Sequence, residues 1–302
     1  MSVALSVGIR TSLFALGDIA GSAAISNKRL ATGKRVNDAI DNPLNFFLAK
    51  GFDKNKNDLL NLLDTQNIAL STVTKAVKTI DSISKLVEQV QALARQALQS
   101  NDTAVGGVRE TLGAQIATTL NQITDFTRDS GFNGKNLLAE TPDNLRIDFN
   151  SETGVNLTSL TVTGVSLTPN GATLGFGTPA QGFTTAVNAA PTPDVISYTA
   201  ASFTNDVPGN ARIQALIDQS QTSLSRLQGV ASTFAVNLSI TQIRVDFSRA
   251  QQRTLATTSD ALTLADVNEE GASLAALQTR QQIAVQALSL ANQADQGILR
   301  LF

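Results

Sequence analysis

Apolar and small residues recur along this chain at alternating steps of three and four. The longest run is Leu59, Leu62, Gln66, Ala69, Val73, Ala76, Ile80, Ile83, Val87, Val90, Ala94 and Ala97. That alternation is the heptad seam of a helix lying along another helix, and it predicts a rod of roughly 60 Å. A second helix is expected after the turn residues Ser100-Asn101-Asp102-Thr103, with Val108, Leu112, Ile116, Leu120, Ile123 and Phe126 on one face, ending near Asp129 to Gly131. A third is expected from about Asn210 to Arg253, with Ile217, Leu224, Leu227, Ala231, Phe234, Leu238 and Val245 as its stripe. A polar break at Thr257 to Asp260 should then lead into the last helix.

Both chain ends carry the same spacing. Ile9, Leu13, Leu16, Ala20, Ala23, Asn27 and Leu30 mark the first segment. Leu274, Leu277, Ala284, Leu288, Ala291, Ile298 and Phe302 mark the last, with Gln281 and Asp295 as its polar members. Charges are sparse in both. A long apolar helix at the end of a chain has no globule of its own to lie on. Nucleation is costly, and packing normally supplies a helix's stability, so these ends require partners: each other, and then further copies.

Between the helices the pattern changes. Residues from Lys28 to Asp58 are crowded with charge and punctuated by Gly33 and Asn42-Pro43, as in a solvated connector that re-enters helix after the proline. Beyond Phe132-Asn133-Gly134 the period becomes two: Leu145, Ile147 and Phe149, a turn at Asn150 to Gly154, then Leu160 and Val162, which reads as a β-hairpin. Thr168 to Pro208 holds most of the proline and is expected to be exposed loop with at most short strands.

Composition narrows the chemistry. With no cysteine and no histidine, disulfides, thiol catalysis, Cys/His zinc sites and imidazole acid–base chemistry are excluded. A net charge of -2 gives no basic footprint for nucleic acid. No apolar stretch approaches the ~20 residues of a membrane span, and the N-terminus lacks the pattern of a cleaved secretory signal. Glu269 and Glu270 read as solvated connector charges rather than a catalytic pair. No enzyme activity and no cofactor are expected.

The expected fold is mainly α with a small β segment: long antiparallel helical rods, the chain folding back so that both terminal helices pair, with hairpin and loops at the outer turning point. The expected organisation is a terminal coiled-coil domain at 1–40 and 260–302, a helical rod domain at 41–167 and 209–259 with its hairpin at about 140–167, and a short variable exposed segment at 168–208.

Several blocks resemble bacterial flagellin. Arg29-Leu30-Ala-Thr-Gly33-Lys-Arg35-Val-Asn37 is similar to the family's "RLSSGxRIN", followed by Ala39 and Asp41 of its "AKDD" pattern. Phe132-Asn133-Gly134-Lys-Asn-Leu-Leu138 is similar to "FNGxxLL". Asp266 and Glu270 match a D-x-x-x-E pair, and Leu274 to Gln293 with Ile298 to Phe302 resembles the terminal run and closing motif. The resemblance implies a self-assembling subunit of the extracellular flagellar filament, used for swimming. It implies terminal helices lining an inner coiled-coil tube, and export unfolded by a chaperone and the flagellar type III apparatus. Cap and hook-associated proteins are the further implied partners. Where the family's receptor-recognised segment reads "RVREL", this chain has Gln89-Val90-Gln91-Ala92-Leu93, which implies weak or no recognition by the animal flagellin receptor.

Other readings remain open on the residues. A hook–filament junction protein shares the terminal architecture, and a coiled-coil adhesin shares the heptads. A metallopeptidase-bearing flagellin needs H-E-x-x-H, which a chain without histidine lacks. Asn156-Leu-Thr158 is a sequon of the kind found by chance.

Overall fold

A computed structural model describes residues 7–101, 107–150, 157–176, 181, 183–186, 195–198 and 203–299. The expected turn at 102–103, the hairpin turn at 151–154, Asn156 and Phe302 lie outside the described residues, as do the side chains of Asp295 and Ile298.

The described residues form five helices, α1 (Val7–Thr32), α2 (Pro43–Gln99), α3 (Val108–Asp129), α4 (Val207–Thr263) and α5 (Val267–Leu299), with the strands between them. Four short strands, β1 (Leu145–Asp148), β2 (Ser159–Val162), β3 (Phe183–Ala186) and β4 (Val195–Tyr198), make two antiparallel pairs, β1 with β2 and β3 with β4. The mainly α class with a small β segment is what the pattern indicated. Two compact units are present: residues 1–57 with 251–302, and residues 58–250.

In the second unit the α2 seam is the core. Gln66, Ala69, Val73, Ala76, Ile80, Ile83, Val87, Val90, Ala94 and Ala97 are all buried. From Ala69 onward they pack with Leu112, Ile116, Leu120 and Ile123 of α3 and with Leu227 and Phe234 of α4 in one cluster. Val108 and Phe126 do not join that face; both are exposed, while their neighbours Arg109 and Thr127 turn inward and are buried.

Local chemistry sets the boundaries. Asn42 accepts the Asn45 amide as N-cap of α2, and Pro43 opens the helix at the position where a missing N–H costs nothing. Asp206 does the same for α4, accepting the Gly209 amide, so that helix starts at Val207 rather than at Asn210. Phe132 and Lys135 exchange backbone hydrogen bonds around Asn133 (φ 49°) and Gly134 (φ 76°), a two-residue turn that needs left-handed backbone at both positions.

Two expectations are corrected here. There is no break at Thr257–Asp260: α4 runs through to Thr263, because the Thr257 and Thr258 hydroxyls bond back to carbonyls of the preceding turn and neither glycine nor proline interrupts. The segment from Thr168 to Pro208 is not simply exposed loop. Leu174, Phe176, Phe183, Ile196 and Phe203 are buried, and the Asn121 amide on α3 exchanges two hydrogen bonds with the backbone of Ile196. Single large apolar residues between prolines have no period, yet each fills a place in the core.

Candidate functional site: the terminal helix pair and its joint

In the first unit α1 packs against α5. The covered side of α1 consists of Ile9, Ser12, Leu16, Ile19, Ala23, Ser26, Arg29 and Leu30. Ile9, Leu16, Ala23 and Leu30 are the sequence-derived positions on it. Leu13, Ala20 and Asn27 are not; they are exposed, and Ser12, Ile19 and Ser26 stand in their place. The two series share every second member, so spacing alone does not separate them. Two serines fit the covered side because each hydroxyl is satisfied: Ser12 bonds to the Gly8 carbonyl and Ser26 to Glu270. On α5, Leu274, Leu277, Ala284, Leu288 and Ala291 are half-buried on one side, while Gln281 is exposed.

Much apolar surface stays uncovered. Leu13, Phe14 and Ile25 on α1, and Ile283, Val285 and Leu290 on α5, are exposed. Apolar residues thus stand on both the covered and the uncovered sides of this helix pair, a surface of the kind that marks interaction sites.

A joint ties the pair to the rest of its unit. Gly33 (φ 66°) ends α1 in the left-handed conformation. The chain then runs beside the α4–α5 link: Arg35 and Val36 amides donate to the Thr263 carbonyl at 2.7 and 3.2 Å, and the Ala265 amide donates to Gly33 at 3.0 Å. Asn37 donates to the Lys34 carbonyl, and Asp41 accepts the Asn37 and Asp38 amides. Those two amides hold the Asp41 carboxyl below the usual carboxylate range. Asp266 caps α5 by accepting the Asn268 and Glu269 amides.

Glu270 is the keystone, and it is not a solvated connector charge. It is buried, paired with the Arg29 guanidinium at 2.9 Å, and accepts the Ser26 hydroxyl at 2.9 Å. The Arg29 hydrogen bond, with lesser help from Ser26, lowers its pKa against the opposing effect of desolvation. Acidic residues in the first turn of α5 also suit the positive end of the helix dipole.

The blocks Arg29–Asp41 and Asp266–Glu270, far apart in sequence, are thus one interlocked joint. A family model described as the bacterial flagellin N-terminal helical region matches residues 17–143. Flagellin FljO of Caulobacter vibrioides is 28% identical over 276 residues, covering 91% of this chain and 89% of that protein. The flagellin of Brucella melitensis is 23% identical, covering 97% and 95%. Flagellin C of Rhizobium meliloti is 24% identical, covering 91% and 90%. The chain is similar to bacterial flagellins over more than nine-tenths of its length.

The remaining flagellin block, Phe132 to Leu138, lies in the second unit. Leu137 and Leu138 are buried, and their carbonyls accept the Val165 and Leu167 amides. Asn136 accepts the Ser130 hydroxyl and donates to the Thr127 and Arg128 carbonyls, closing the end of α3. Gln89 and Ala92 are exposed on α2, and Gln91 is half-buried.

Arg109 escaped notice in the sequence. It is buried and donates to the carbonyls of Ala97, Leu98, Ser100 and Thr204 and to Asn210 Oδ1. It closes the C-terminal end of α2 and fastens the start of α4. A lone arginine in a polar stretch gives no pattern to detect. Among the described residues, no group of three or more carboxylates converges as a metal site, and no helix is long and apolar enough to cross a membrane.

Proposed function

We propose that this chain is the structural subunit of the bacterial flagellar filament and polymerises by burying the uncovered faces of α1 and α5 against neighbouring copies. The supporting observation is the exposed apolar surface of the terminal pair, Leu13, Phe14, Ile25, Ile283, Val285 and Leu290. Flagellins are filament proteins and self-polymerise; the relatives named above are all flagellins, so the hook–filament junction reading is not favoured. In this reading Ile9, Leu16, Ala23 and Leu30 seal α1 to α5. Leu13 and Ala20 face the next subunit, and Leu274, Leu277, Ala284, Leu288 and Ala291 form the α5 side of the inner tube. A contact between two different faces generates an open helical polymer where its rotation does not close a ring.

The finer partners follow from the same reading. The subunit leaves the cell through the flagellar type III apparatus with a chaperone, adds beneath the cap, and follows the hook-associated proteins. Without the arginines and glutamate of the family's segment, Gln89, Gln91 and Ala92 give the animal receptor little to grip. The role is structural rather than catalytic.

Purified protein seeded with filament fragments tests the reading. Wild type should elongate into tubes visible by electron microscopy, and Leu288→Asp should not, while retaining the helical circular dichroism of the second unit. Normal filaments from Leu288→Asp would refute the role given to α5.

A further inference from the structure

Two Asn-Gly dipeptides stand in the chain, Asn133-Gly134 and Asn170-Gly171. The fold holds them in opposite ways. Asn133 and Gly134 are exposed at the tip of their turn, with φ of 49° and 76°. The turn's backbone bonds, 2.8 and 3.0 Å, join Phe132 to Lys135 and leave the Gly134 amide outside them. Nothing lies within 4 Å of where a Gly134 Cβ would stand. Asn170 and Gly171 are half-buried. There the glycine amide donates to the Thr168 carbonyl at 2.9 Å. A Cβ on Gly171 would meet the Ser166 hydroxyl at 3.0 Å and the Thr168 carbonyl oxygen at 3.1 Å.

An asparagine can lose its side-chain amide to its own backbone. The nitrogen of the next residue, stripped of its proton, bonds to the asparagine Cγ, and a five-membered imide closes. The bond from Cγ to Nδ2 breaks, and Nδ2 regains a proton and leaves as ammonia. Water then opens the imide at either carbonyl, giving aspartate or isoaspartate, each with a new carboxylate. The attack is helped by a following residue without a side chain, by an amide free of hydrogen bonds and by freedom of ψ at the asparagine. The turn at Asn133 meets all three conditions. With φ positive at both central residues it is of type I′. A flip of the Asn133–Gly134 peptide converts it to type II′, in which ψ of the first central residue is about -120° and the next nitrogen faces its side chain. That conformation is costly for asparagine, but the closed imide holds it. The flip keeps both Phe132–Lys135 bonds, since neither uses the central peptide. At Asn170 the same attack must first break the bond from Gly171 to Thr168.

We propose that Asn133 is a site of self-modification in the folded protein, converting to aspartate and isoaspartate, while the fold protects Asn170. The inference goes beyond the filament reading and does not depend on it. The new carboxylate joins a turn whose Lys135 already pairs with Asp143 at 3.0 Å. Aspartate keeps the turn, because Asp, like Asn, tolerates left-handed backbone. Isoaspartate adds a methylene to the main chain between residues 133 and 134 and disturbs the Phe132–Lys135 bonds. The change falls on the block that runs from Phe132 to the buried Leu137 and Leu138. A subunit therefore gains negative charge, and in part loses this turn, as it ages.

The test uses the purified full-length chain, with no filament. Protein held at mildly alkaline pH, which helps to remove the glycine amide proton, is sampled over time by peptide mass spectrometry. In the folded protein Asn133 should convert at least tenfold faster than Asn170, and isoaspartyl methyltransferase should label the peptide that contains residue 133. In concentrated urea, where both dipeptides are released from their turns, the two rates should converge. Equal rates at the two sites in the folded protein, an Asn133 that stays intact, or a difference that persists unchanged in urea would overturn the proposal.

Discussion

Two charged residues hold this molecule together in different ways. Arg109 has its guanidinium buried among backbone carbonyls at the C-terminal end of α2, where the helix dipole favours a cation. Arg109→Ala strands those carbonyls, and we expect a loss of about 3 kcal/mol in the urea unfolding of the second unit, since each unsatisfied buried group costs roughly 1–3 kcal/mol. Arg109→Lys should recover less than half of it, because an ammonium cannot span the fork of acceptors. Glu270 works through its charge. Its pKa is depressed when folded, so its contribution is fully present above the ordinary glutamate value of about 4.3 and is lost as pH falls through the lower, folded value. Filaments should therefore dissociate on acidification, as followed by sedimentation. Glu270→Gln should weaken them at neutral pH and make the acid transition shallower; Asp41 and Asp53, also lowered, leave some acid dependence in place.

At the scale of the element, glycines separate backbone freedom from crowding. Gly134 sits at φ 76° in its turn with open space around it, so Gly134→Ala should cost only the left-handed penalty, about 1–2 kcal/mol. Gly164 is different. A Cβ there would lie 2.3 Å from the Asp143 carbonyl oxygen and 2.9 Å from that of Leu137, backbone that holds the β1–β2 hairpin to the Leu137–Leu138 block. Gly164→Ala should lower the melting temperature more than Gly134→Ala does, and the reverse order would show that the hairpin yields easily. Helix termini obey similar local rules. Asn42, Asp206 and Asp266 each cap a helix with a side-chain oxygen.

For the whole molecule, assembly and folding are coupled. The terminal pair buries little of its own apolar surface, so amides of α1 and α5 should exchange with solvent much faster than those of α2 and α3 in the monomer, and become protected in the filament. Equal protection in both states would rule out folding on assembly. Sequence periodicity determined that the helices and the first β-hairpin exist and which face of α2 is buried, though not where α4 begins and ends, because a buried face repeats with the period of its element and leaves that period in the sequence. It did not determine which of two interleaved series on α1 meets α5, because Leu13 and Ser12 differ by one step and only the partner's position selects between them. Nor did it reveal Arg109 or the burial of Phe176, Phe183 and Phe203. Those depend on which segments come to lie against one another, and that is decided by contacts between residues far apart along the chain.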